Sequence, residues 1–207
     1  MENVAFYLVE SLTQGSSEWL AWRRKVIGAS DAPTIMGENP WESADHLMRE
    51  KLGLETPFAG NDATREGQRL EPSARSALSK AYGVKLSPAV IQDGEVPFIA
   101  ASLDGLAADN SQIFEIKCGE KAYARTKANR EVPHYYAAQL QHMLMVSGHK
   151  TLIFAAFRPG EPLVTLEVKR NKAYIERLRR TEQAFMERLV ARGHGAQKQF
   201  VGRRVGK

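Results

Sequence analysis

The seven residues QIFEIKC, Gln112 to Cys118, limit what this chain can fold into more than any other stretch. Their apolar, β-favouring character reads as a strand, and on a strand successive side chains alternate faces. Phe114, Ile116 and Cys118 then share one face, and Ile113, Glu115 and Lys117 the other. Phe114 and Ile116 suit a core, and Cys118 joins them as a small hydrophobe. Glu115 and Lys117 emerge together from an apolar run. The fold must supply a packed sheet here, and a use for a carboxylate and an ammonium on the same strand.

The flanking segments supply the sheet. VKLSPAVIQ (84–92) and PFIAAS (97–102) precede it as short strands broken by Pro, Asp-Gly and Asn. TLIFAAF (151–157) and LVTLEVK (163–169) follow as a hairpin around RPGEP. Ser16 and Ser17 can cap a helix through EWLAWRRKV. Ser30 and Asp31 can cap a short helix that stops near Gly37, and Ser43 and Gly53 bracket SADHLMREKLG. Leu70, Ala74, Ala77 and Leu78 have helical spacing up to a stop at Gly83, with Pro72 expected to kink or divide that helix. VPHYYAAQLQHMLMVSG opens a helix at Pro133 and closes it at Gly148, and a last helix runs from about Asn171 to Ala191. Helices, strands, helix, strands, helix is the order of an α/β fold with a mixed central β-sheet flanked by α-helices.

A chain of 207 residues suits one domain, 1–207, with a substantial core. No apolar run reaches the ~18–20 residues that span a bilayer, and the first ten residues lack a basic n-region, so neither a membrane segment nor a signal peptide is expected. The single cysteine excludes an intrachain disulfide framework and a four-cysteine zinc or iron–sulfur site within one chain, and points to the cytoplasm. The net charge is +5, yet the last 17 residues hold five Lys or Arg and no acid, which leaves the body formally neutral. A basic surface for nucleic acid would have to be local. The tail, 191–207, reads either as a solvated, frayed end or as an arm touching DNA or another subunit.

Asp104 precedes Glu115 by eleven residues, at an Asp-Gly pair read as a tight turn after the strand FIAAS. A hairpin of that length can bring Asp104 beside Glu115. Two adjacent carboxylates repel and burial raises their pKa values, and a divalent cation relieves both. Oxygen ligands suit Mg²⁺ or Mn²⁺. Lys117 can then help place an attacking water or stabilise charge on a transferred phosphoryl group, which makes a site for metal-assisted phosphodiester hydrolysis. On spacing alone a surface ion pair explains the same residues. A second Glu-x-Lys, Glu167 and Lys169, has no comparable Asp upstream and reads as a solvated pair on an edge strand.

SLDGL and FEIKCG resemble motifs II and III of the PD-(D/E)XK nuclease superfamily. EWLAWRRKVIGASDAPTIMGENPW resembles the N-terminal block of the lambda exonuclease / YqaJ-like viral recombinase family, EGQRLEPSAR its Gly…Glu helix, and YAAQLQHMLMV its later Gln helix. The likeness runs from about Gln14 to Phe157, four blocks in the family's order. It implies a PD-(D/E)XK (restriction-endonuclease-like) core. It also implies a Mg²⁺-dependent, two-metal exonuclease that resects linear double-stranded DNA 5′ to 3′ and releases mononucleotides. The 3′ tails would go to a single-strand annealing protein in phage-type recombination, and a homotrimer ring would encircle the DNA. An endonuclease of restriction or repair type and a catalytically inactive DNA-binding subunit are the alternatives. The iron–sulfur branch of the superfamily is excluded by the single cysteine.

By the same resemblance, Asp104 and Glu115 are metal-binding carboxylates, the Ile116 carbonyl an added ligand, and Lys117 the catalytic lysine. Glu71 adds a carboxylate from the long helix, with an exposed Glu before Pro72 as the plainer reading. Asp93 matches the region of a further acid, although Asp-Gly is also an ordinary turn pair. Gln139 faces the active site, Met143 stands where the superfamily often has a Tyr, and Gln141 is expected to be exposed. Arg23 and Ser30 match the positions that bind the 5′-phosphate of the shortened strand, and Ser102, two residues before Asp104, could join this pocket. An Arg can chelate phosphate oxygens, and a helix start at Ser30 attracts anions. Lys121 and Arg125 both suit the basic position after the lysine motif. Trp19, Trp22 and Trp41 read as core or interface residues in preference to base-stacking groups, and no histidine has metal-ligand spacing.

Overall fold

Strand β4, Ile113–Lys117, lies at the heart of a seven-stranded mixed sheet. The structure is a computed structural model and describes residues 6–56, 60–193 and 203–205. The other strands are β1 (Phe6–Leu8), β2 (Leu86–Asp93), β3 (Ala100–Ala107), β5 (Thr151–Ala156), β6 (Val164–Lys169) and β7 (Arg203–Val205), in the spatial order β6-β5-β4-β3-β2-β1-β7. Every neighbouring pair is antiparallel except β4 and β5. A parallel pair needs a crossover. Here it carries α5 (Glu120–Asn129), a 3₁₀ turn at His134–Tyr136, and α6 (Ala137–Ser147).

The remaining helices are α1 (Ser17–Arg23), α2 (Ala32–Ile35), α3 (Ala44–Lys51), α4 (Asp62–Tyr82) and α7 (Lys172–Ala191). Helix α6 is buried over most of its circumference, from Ala138 and Leu140 to Val146. A helix buried on most sides needs cover on most sides, and the sheet, α2 and α7 provide it. On the opposite face, Leu70, Ala74 and Leu78 of α4 pack on Phe114, Ile116 and Cys118. These are the three residues that alternation assigns to one face of β4. Ile113 goes to the α6 side.

Several expectations change. Pro72 lies inside α4 without dividing it. Pro72 and Gln68 are both exposed, so water can solvate the carbonyl that loses its amide partner. Helix α5 was not expected; only Ala122, Tyr123 and Thr126 of it are buried, too few for a clear period. The helix expected from Pro133 begins with a 3₁₀ turn instead, and α1 ends at Arg23 rather than Val26. Gln141 is buried, not exposed. Its amide donates to the Lys169 carbonyl and its oxygen accepts the Asn171 N–H, tying α6 to the start of α7. Glu167 and Lys169 are exposed on β6, an edge strand. Residues 203–205 of the basic tail pair with β1, and 194–202 and 206–207 lie outside the described residues. Among the described residues no helix is long and apolar enough to cross a membrane.

Candidate active site

Asp104 is not in a turn. Strand β3 runs through Asp104 and Gly105 to Ala107. Strands β3 and β4 pair only at Gly105↔Phe114 and Leu106↔Ile113. A Cβ on Gly105 would stand 3.2 Å from the Phe114 Cβ, so glycine allows this close approach. Beyond it the ladder opens, and the Asp104 carboxylate replaces the missing acceptor: the Ile116 N–H donates to Oδ2 at 2.8 Å. The N–H and C=O of one strand residue point to the same side, so the Ile116 carbonyl is turned toward Asp104 as well.

Glu115, only 2% exposed, projects from the face of β4 that meets the helix-bearing crossover. Its Oε1 accepts from Lys117 Nζ at 2.5 Å and from Gln139 Nε2, on α6, at 2.7 Å. Lys117 Nζ also lies 4.7 Å from the centroid of the Tyr136 ring. From α4, Arg75 donates to the Glu71 carboxylate and to the Asp104 carbonyl. Asp104, Glu115, Ile116, Lys117, Gln139 and Glu71 thus gather where β3 and β4 part.

The charges are closely coupled. Burial, then Glu115, drives the Asp104 carboxyl well above its ordinary value. Burial also raises Glu71, and Arg75 opposes it. Burial works against the Lys117 ammonium, but Glu115 and Asp104 outweigh it and hold the proton more tightly than usual. In each of the three carboxylates the hydrogen bonds fall on a single oxygen: Asp104 Oδ2, Glu115 Oε1 and Glu71 Oε1. Among the described residues the second oxygens accept no hydrogen bond, and they are the atoms that could ligate a cation. An all-oxygen donor set of mutually repelling carboxylates fits a hard divalent ion.

A second group lies beside α1. Arg23 Nη2 donates to Ser30 Oγ at 2.8 Å and to Asp31 Oδ1 at 2.9 Å, and its guanidinium stands 5.1 Å from the Trp19 ring. Trp19 Nε1 donates to Ser102 Oγ at 3.2 Å. Arg23, Ser30 and Ser102 are therefore linked through Trp19, and Ser102 is two residues from Asp104 on β3. Ser30 does not cap α2. Asp31 holds that position, and its carboxylate turns away to Lys51 (2.8 Å), Arg23 and the Gly28 N–H. A four-residue helix also has little dipole to offer an anion. The serine hydroxyl and the guanidinium are what this corner presents.

Two candidates stand apart. Asp93 is at the other end of β2. The β2–β3 register puts it five positions from Asp104, about 17 Å at ~3.4 Å per residue. Its Oδ1 accepts from Glu95 and Val96 N–H, and its Oδ2 pairs with Arg179. It closes β2 and ties down the bend that follows, and it does not join the carboxylates. Lys121 and Arg125 are both exposed on α5, and Arg125 is the one that lies over an aromatic ring near Lys117, 5.9 Å from the Tyr135 centroid.

Tyr136, Arg75, Lys51 and Trp19 do work that sequence reasoning did not give them. Tyr136 precedes Gln139 by three residues, one turn of the helix-forming segment, and that spacing is the signal that could have found it. Met143, in the position where a tyrosine is common, is fully buried in the core. Glu42, His46 and Glu50 bring three potential ligand atoms within 4.8 Å of one another on α3 and its approach, although no histidine was read as having ligand spacing. Their intervals of four residues are the helical signal for it.

Relatives agree with this architecture. Residues 18–150 match the YqaJ-like viral recombinase domain. The protein YqaJ of Bacillus subtilis strain 168 is 28% identical over 191 residues, covering 90% of this chain; the chain spans about 60% of that protein's length. The alkaline exonuclease LHK-Exo from Laribacter hongkongensis superposes with a TM-score of 0.74 at 23% identity, over 86% of this chain and 94% of that one. A phage-related exonuclease from Haemophilus somnus 129PT gives 0.58 at 16% identity, over 81% of this chain and 96% of that one. Folded as a PD-(D/E)XK core with its acids where β3 and β4 part, the chain belongs to the YqaJ-like viral recombinase family.

Proposed function

We propose that this protein is a Mg²⁺-dependent exonuclease, residues 1–207 forming one nuclease domain, that resects linear double-stranded DNA 5′ to 3′ and leaves 3′ single-stranded tails. The observation that carries the reading is that Lys117 and Gln139 both donate to the buried Glu115 carboxylate while the Asp104 carboxylate accepts the N–H of the adjoining Ile116, where β3 and β4 separate. Asp104, Glu115 and the Ile116 carbonyl would hold the metal, with Glu71 adding a carboxylate from α4. When bound, the metal supplies a Lewis acid for the phosphodiester and an acidified water, with Mn²⁺ able to substitute and a second ion completing a two-metal site. Gln139 and Lys117 fix the Glu115 side chain. The Lys117 ammonium places the attacking water or stabilises charge on the phosphoryl group. Arg23, with one corner of its guanidinium tied to Ser30 and Asp31, presents its other donors to a 5′-phosphate, and Ser102 lies between that pocket and Asp104.

Family membership supports delivery of the tails to a single-strand annealing protein, a homotrimer ring around DNA, and work in the cytoplasm. The test is digestion in Mg²⁺ of linear 5′-phosphorylated, linear 5′-hydroxyl and covalently closed circular duplexes. Linear phosphorylated DNA should be resected and circles should survive. Lys117→Ala should lose at least about a hundredfold in rate, and Arg23→Ala should lose the preference for phosphate. Cleavage of circles would make the protein an endonuclease. No cleavage in Mg²⁺ or Mn²⁺ would leave Asp104 and Glu115 a structural pair.

A further inference from the structure

Trp41 is 74% exposed, and an isolated apolar side chain on a surface needs no explanation. This indole is not isolated. It meets Tyr135 edge to face at 4.9 Å, Tyr135 meets Tyr136 at 4.6 Å, and the Tyr136 ring lies 4.7 Å from Lys117 Nζ. A row of three rings thus leads from solvent to the lysine of the candidate active site. The loop that carries the indole is clamped: Trp41 N–H donates to Asn39 Oδ1 at 3.0 Å, and Asn39 Nδ2 donates to Thr34 Oγ1 at 2.8 Å. A cavity of about 650 Å³ opens beside the indole between Thr34 and Ala44. The Arg125 guanidinium lies 5.9 Å from the Tyr135 centroid and adds a cation to the row.

We propose that Trp41 and Tyr135, with Arg125, form a platform for unpaired nucleotides of the DNA substrate, bases stacking on the rings and a phosphate meeting the guanidinium. The inference rests on the DNA-resecting reading above and adds a second contact to it. Every base has a π-face, so stacking tolerates any sequence. In a duplex those faces are already covered, so the rings discriminate single strands from double. A resecting enzyme generates such strands next to its metal site.

The test is binding in EDTA, where nothing is cut, of a blunt duplex and of the same duplex carrying an oligothymidine 3′ tail. Wild-type protein should hold the tailed duplex more tightly. Trp41→Ala and Tyr135→Leu should each weaken it about tenfold and weaken the blunt duplex distinctly less, while Trp41→Phe should keep most of the tail affinity. Equal losses on both duplexes, or none, overturn the platform. So does a change in sedimentation of Trp41→Ala, which would make the indole a contact between copies of the chain. Digestion of linear DNA by wild-type protein runs in parallel. If it proceeds while the tail makes no difference, the platform alone is lost. If the wild type neither digests nor binds DNA, the resecting reading fails and takes the platform with it.

Discussion

Two Asp-Gly pairs lie eleven residues apart in this chain and do opposite things. Asp93 ends β2 and Gly94 enters the bend after it, with the Asp93 carboxylate accepting two backbone N–H groups just ahead of it. Asp104-Gly105 is continuous strand, where the glycine lets β3 approach Phe114 and the aspartate bridges to Ile116. The dipeptide is identical, so its local propensity is identical; the partner strand decides. Gly105→Ala should force the 3.2 Å contact with the Phe114 Cβ apart. We expect a loss of about 1–3 kcal/mol in a urea titration. Nuclease activity should fall further than that loss explains under fully folded conditions, because Asp104 is the preceding residue. An unchanged midpoint and rate would show that the strands yield without moving Asp104.

At the scale of elements, the corner holding Arg23 depends on buried charges that link α1, α2 and α3. Asp31 and Lys51 are both buried, and the ammonium also donates to the Val26 and Arg23 carbonyls. Burial works against the Asp31 carboxylate, but Lys51 and Arg23 prevail and lower its pKa to about 2 from 3.8. A depressed carboxyl adds stability above its unfolded value and loses it as the pH falls through the folded one. The window is therefore about pH 4 down to 2, worth about 2 kcal/mol. Asp31→Asn should abolish that acid-dependent loss. At neutral pH it should cost about 3 kcal/mol, since Lys51 stays buried without its partner. Thermal melts of both proteins from pH 7 to pH 2 would check both statements. Parallel curves would show that the ion pair contributes nothing.

At the scale of the whole molecule, the sheet and the two helices stacked on it are pinned by one fully buried pair. His142 on α6 bonds Glu182 on α7 through Nδ1 at 2.7 Å and the Ala100 carbonyl on β3 through Nε2 at 2.8 Å. Burial disfavours the imidazolium, but Glu182 dominates and raises the His142 pKa above 6.5. The folded protein then keeps that proton to higher pH than the unfolded chain. The pair's contribution is complete below about pH 6.5 and fades as the pH climbs through the raised value. Stability should fall as the pH rises above about 6.5 in the wild type, and His142→Gln should flatten that slope; an equal slope in both would show that the pair contributes nothing. None of this was legible in the sequence, where His142 and Glu182 are forty residues apart with no motif joining them. The α/β class, the mixed sheet, the two faces of β4 and the long α4 were legible, because alternation, helical spacing and caps are local and survive into the fold. Alternation and spacing singled out Asp104, Glu115 and Lys117 without separating a metal site from a surface ion pair; Glu71, Gln139, Arg23 and Ser30 were named through the family resemblance. Helix α5 and strand β1 were not legible, since their few buried residues leave too short a pattern. Alternation and spacing along the chain determined which residue types share a face. Only the tertiary structure decided that Asp93 is kept from the acid cluster, that Tyr136 and Arg75 attend it, and that Gln141 is buried. Those outcomes depend on strand register and helix packing, which bring together groups that no local pattern relates.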